Sequence, residues 1–95
     1  MYAVIRQYQF DPSASEELDR KVREIFMLRL KALPGFVTYY QLNTGAGSGA
    51  SVNVFDNKEG AKASVRAAAT FGQQHLAGLT MSQPEILEGE VQAQA

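Results

Sequence analysis

Few side chains in this 95-residue sequence could carry chemistry alone. His75 is the only histidine, so it is the one group that would titrate near neutral pH unperturbed. At about 100° per residue, it falls on the border of an apolar helical stripe, beside Phe71 and Ser64. It could act there as an acid, a base or a ligand contact. It could equally be a half-exposed histidine bonded to a neighbour. Arg29 falls near the middle of another apolar helix face, between Ile25, Phe26 and Leu33. A charge there must be paired or solvated. It could hold a ligand carbonyl or carboxylate, pair with Glu88 or Glu90, or snorkel to the surface. His75 and Arg29 are therefore the candidate catalytic groups. Tyrosine hydroxyls can orient a phenolic or quinone ligand while the rings stack on it. Tyr2, Arg6 and Tyr8 share one strand face, and Tyr39 and Tyr40 point to opposite faces of another strand. The expected ligand pocket comprises Arg29, Phe71, His75 and Tyr40, and the bland alternative for the tyrosines is core or dimer interface.

Composition removes other chemistries. The sequence has no Cys, so thiolate nucleophiles, disulfides and Cys-based metal sites are out. A single His excludes a multi-histidine metal site within one chain. No metal and no cofactor is expected. Nine Lys+Arg against ten Asp+Glu give a net charge of −1, which offers no basic excess for nucleic acid. No apolar run reaches about 18 residues, and no signal peptide is evident, so no membrane partner and a cytoplasmic location are expected. Apolar residues make up 45% and charged residues 20%, an ordinary globular balance for one domain over residues 1–95. Gly45–Gly49 contains Gly-x-Gly-x-Gly, but it links two strands. That context suits a flexible hairpin and not a dinucleotide fingerprint.

The elements that must position these residues follow from pattern. Tyr2 to Phe10 reads as a strand that stops at Asp11-Pro12. A helix is predicted from Ser13, capped by a Ser13/Glu16 box, to Leu33, where Pro34-Gly35 ends it. Its stripe is Leu18, Val22, Ile25, Phe26, Leu30 and Leu33. Phe36 to Thr44 and Ala50 to Phe55 read as two strands joined by the glycine loop. An Asp56/Glu59 box opens a second helix over about 58–77, striped by Ala61, Val65, Ala68, Ala69, Gly72, Leu76 and Leu79, with Gly78 as C-cap. Glu85 to about Val91 is the last strand. The order β-α-β-β-α-β predicts an α+β, ferredoxin-like fold: one four-stranded antiparallel sheet with both helices on one face. The other face would be bare and apolar, and a second copy of the chain is its simplest cover.

Four segments, Met1–Arg6, Leu33-Pro-Gly-Phe-Val-Thr-Tyr39, Ser51–Phe55 and Gly89-Glu-Val91, resemble the antibiotic-biosynthesis-monooxygenase-like proteins of the dimeric α/β-barrel superfamily. The resemblance spans nearly the whole chain and is specific for fold more than for activity. It implies a homodimer in which two sheets form a barrel, with a small ligand held in each subunit between sheet and helices. It also implies a choice of activities, including cofactor-free oxygenation of aromatic compounds and haem degradation. Oxygenase and haem-degrading members commonly use a Trp on the second helix. This chain has none, and Phe71 stands roughly in its place. The leading expectation is a dimeric protein that binds or transforms a small apolar or aromatic metabolite without a cofactor. A cofactor-independent monooxygenase is the alternative, and a non-enzymatic regulatory or interaction module is a third.

Overall fold

The computed structural model describes residues 1–79 and 83–95. Four strands, β1 (Tyr2–Gln9), β2 (Phe36–Gly45), β3 (Ser48–Phe55) and β4 (Glu85–Glu90), form one sheet in the order β2-β3-β1-β4. All three neighbouring pairs are antiparallel. Both helices lie over the same face, so the ferredoxin-like α+β arrangement expected from the element order is the one adopted. No helix among the described residues is long and apolar enough to cross a membrane.

The two-residue period of a strand separates two unlike faces. Val4, Arg6 and Tyr8 of β1, Ser51, Asn53 and Phe55 of β3, and Tyr39 and Gln41 of β2 lie under the helices. With Leu18, Val22, Phe26, Leu30, Phe10, Ala61 and Phe71 they enclose the core. Ile5, Tyr40, Leu42, Val52, Val54 and Leu87 lie on the outer face.

The first helix departs from the even helix its periodicity suggested. It opens with a single 3-10 turn, Pro12–Ala14, and runs as α-helix over Ser15–Lys21. It then widens into a π-helical segment, Val22–Phe26, and closes as α-helix over Met27–Lys31. A π turn absorbs one extra residue. Every later residue therefore takes the angular place of its predecessor, a rotation of about 100°. Leu18, Val22, Phe26 and Leu30 consequently stack in one buried row, although strict fours would drift round a regular helix. The predicted Ser13/Glu16 box gives way to Asp11. Its Oδ1 accepts from the Ser13 backbone N at 2.9 Å and from Ser13 Oγ at 2.8 Å, an Asx turn that Pro12 favours. These bonds, the side-chain one foremost, hold the Asp11 carboxyl below its usual range.

The second helix, Lys58–His75, is capped by Asn57 and not by the expected Asp56. Asn57 Oδ1 accepts from Gly60 N at 2.9 Å. Gly60 also admits the helix to the sheet: a Cβ there would sit 2.7 Å from the Phe55 ring and 3.0 Å from the Pro34 carbonyl. The helix stops two residues before the predicted end, and Gly78 (φ +82°) belongs to the turn beyond it. The glycine loop is tighter than expected. Ala46 and Gly47, both at positive φ, form the two-residue turn, and pairing resumes at Ser48.

Candidate functional site

A cavity of about 670 Å³ opens between the sheet and the helices. Its floor is built by all four strands, with Ile86 of β4 beside Arg6. β1 supplies Arg6 and Tyr8, β3 supplies Ser51 opposite Arg6, and β2 supplies Tyr39. Its walls are Leu18, Val22 and Phe26 from the first helix and Val65, Ala68, Ala69, Phe71 and Gly72 from the second. Phe26 and Phe71 stack with ring centroids 4.9 Å apart, giving a flat aromatic wall. Small residues on the second helix leave the opposite space free. A Cβ at Gly72 would meet nothing within 4 Å.

The floor is polar and organised. The Tyr8 ring lies across Gly49, where a Cβ would come within 2.9 Å of it, so glycine is what lets this phenol lie flat over β3. Gln41 Nε2 donates to Tyr8 Oη and to Asp19 Oδ1, each at 3.2 Å. Burial raises the Tyr8 phenol above its usual value, the Gln41 bond lowers it, and Asp19 adds to the rise. Tyr39 is pushed further up, foremost by burial and next by Tyr8, with Ser51 and Arg6 opposing. Both phenols therefore stay protonated and able to donate through the physiological range. Arg6 keeps only 9% of its surface exposed. Burial lowers its guanidinium from the usual value, and Tyr39 opposes that shift. The group stays charged, because arginine starts above about 12. Its one hydrogen bond among the described residues is a long one, Nη2 to the Val65 carbonyl at 3.5 Å.

The sequence-predicted residues divide. Phe71 lines the cavity. Arg29 and His75 come together but outside the cavity lining. Arg29 Nη1 donates to Gln74 Oε1 at 2.8 Å, and Nη2 lies 3.4 Å from His75 Nε2. His75 in turn tilts against Phe71 with centroids 5.4 Å apart. The π turn explains Arg29. It carries Leu30 into the middle of the apolar face and turns Arg29 toward the second helix. Lys21 joins the same seam, donating to the His75 carbonyl at 2.8 Å and so satisfying a helix C-terminal oxygen. Tyr40 does not reach the pocket: it stands on the outer face of the sheet, 61% exposed. Its neighbour Tyr39 takes the inward place, because alternation fixes that the two differ but not which is buried. Glu88 and Glu90 lie exposed along β4 and form no ion pair with Arg6 or Arg29 among the described residues. Sequence reasoning places Arg6 on a strand face with Tyr2 and Tyr8 and does not assign it to the pocket. The available signal was an arginine inside a strand on the face that also carries Val4.

No family profile and no curated protein matches the sequence. Solved structures do match across the whole fold. A protein of unknown function from Nitrosomonas europaea, NE2512, superposes with a TM-score of 0.81 at 21% identity, over 99% of this chain and 91% of its own. The ActVA-Orf6 monooxygenase of Streptomyces coelicolor, solved in complex with nanaomycin D, gives 0.79 at 10% identity, over 99% and 89%. SnoaB, a cofactor-independent oxygenase from Streptomyces nogalater, gives 0.74 at 12% identity, over 98% and 94%. At these identities it is the fold that is shared. The chain therefore has the fold of the antibiotic-biosynthesis-monooxygenase-like proteins, the fold that the four segments of resemblance implied.

Proposed function

We propose that this protein is a homodimer that binds or transforms a small, mainly apolar aromatic metabolite in the cavity between sheet and helices, without a cofactor. The observation that carries the reading is the cavity itself: about 670 Å³, walled by the stacked Phe26–Phe71 pair and floored by two protonated phenols. Sites for small molecules have this make-up, mostly apolar with a few converging polar groups. A non-enzymatic interaction module would more naturally have a filled interior. Phe71 supplies the wall, Tyr8 and Tyr39 orient polar edges of the ligand, and the Arg29–His75 pair holds the two helices together beside Phe71. The dimer follows from the apolar outer face, since Tyr40, Leu42 and Leu87 are each largely exposed in one chain.

Oxygenation is the second reading. Two of the solved structures above are named as oxygenases, one of them in complex with nanaomycin D. A thermal-shift screen against small aromatic acids, phenols and quinones tests the first reading. Hits that raise the melting temperature of the wild type, and do so less for Phe71→Ala, are expected. A screen with no hit overturns it. Oxygen uptake measured with each hit separates binding from turnover.

A further inference from the structure

Arg6 is the only charged residue that lines the cavity among the described residues. It forms no ion pair among them, and a 3.5 Å contact to one carbonyl does not balance its charge. Glu88, on the same sheet face in the neighbouring strand, forms no ion pair with it among the described residues, and Asp19 of the first helix is engaged by Gln41. A guanidinium removed from water without a counter-charge is costly, and proteins ordinarily supply an acid or accept the charge's loss. Here neither has happened: nine-tenths of the residue is buried, and no acid lines the cavity among the described residues.

The surrounding groups match that charge in kind. Tyr8 Oη accepts from Gln41, so its own proton is left to donate. Tyr39 is likewise held as the phenol. The floor thus gathers one cation and two O–H donors, an arrangement complementary to an anionic oxygen group. Above it the lining is apolar and one wall is aromatic.

We propose that Arg6 anchors the carboxylate of an otherwise apolar aromatic ligand, with Tyr8 and Tyr39 donating to the same end and the ring lying along Phe71. The proposal rests on the cavity reading above and specifies its ligand class as an aromatic monoacid. A carboxylate fits the planar guanidinium fork bidentately. One negative charge also matches one cation. A phosphate monoester would bring close to two charges at neutral pH into a cavity holding a single counter-charge.

The test compares 2-naphthoate with its neutral isostere 2-naphthamide by ligand-observed NMR titration. Wild type is expected to bind the acid at least tenfold tighter than the amide. Arg6→Met, which removes an unpaired buried charge and keeps the stem's volume, should bind both alike with the amide affinity retained. Arg23→Gln, an exposed charge on the first helix, should keep the wild-type preference. Equal binding of acid and amide by wild type overturns the anchor while leaving the cavity reading in place. So does a preference that survives in Arg6→Met. Binding of neither compound at millimolar concentration overturns both readings together. The wild-type comparison decides even if Arg6→Met does not fold.

Discussion

Two arginines in this chain lie near apolar surroundings, and their fates differ for local reasons. Arg29 reaches the second helix and finds Gln74 and His75, so its charge is spent on joining helices. Arg6, fixed on a central strand, cannot swing out past its neighbours and remains over the floor of the cavity. The phenols beside it give a pH signature. Burial raises the folded-state pKa of Tyr8 and Tyr39 above the unfolded value of about 10. Their contribution is fully present below about pH 10 and is lost as pH rises, because the unfolded chain then releases protons that the folded chain keeps. Denaturant unfolding followed from pH 9 to 11 should show stability falling above about pH 10. Tyr39→Phe should make that fall shallower by up to about 1.4 kcal/mol per pH unit. An unchanged slope would show that Tyr39 is not shielded in solution.

At the level of elements, the strands and helices were legible because their patterns are strong: β-branched and aromatic runs bounded by Asp11-Pro12, Pro34-Gly35 and Gln83-Pro84. Their ends and phases were less so. Asn57 outcompetes Asp56 because it sits one residue nearer the helical N–H groups that need satisfying, whereas Asp11, two residues before Ser13, caps the 3-10 turn that opens the first helix. The π turn in the first helix has no signature in composition, yet it decides which residues face the sheet. The second helix depends on close approach. Gly60→Ala forces a methyl into the Phe55 ring and the Pro34 carbonyl and should cost about 1–3 kcal/mol by chemical denaturation. Asn57→Ala should cost about 1 kcal/mol through the lost cap. Gly72→Ala, where a Cβ meets open space, provides the contrast and should be neutral or better.

For the whole molecule, the outer sheet face is the basis of the proposed dimer. Ile5, Tyr40, Leu42, Val52, Val54 and Leu87 make one apolar surface across all four strands. No element among the described residues covers it. Sedimentation equilibrium should find a dimer at low micromolar protein, and an obligate interface of this kind commonly buries about 2,000 Å² or more. Tyr40→Glu combined with Leu87→Glu, on two strands of that face, should shift the equilibrium to monomer while leaving the cavity, on the opposite side, intact. A monomeric wild type would overturn the dimer and require another cover for the face.

The sequence by itself determined the element order, the antiparallel ferredoxin-like sheet and the placement of both helices on one face. Those follow from local periodicity and turn chemistry, which short stretches of chain express alone. Only the tertiary structure decided which tyrosine of the Tyr39–Tyr40 pair turns inward, because a two-residue period is symmetric until one face is buried. It also decided that Arg29 leaves the apolar face and Arg6 stays on it. That exchange depends on one extra residue taken up in a helical turn and on strand packing that leaves Arg6 without an ion pair among the described residues, both properties of packing in three dimensions.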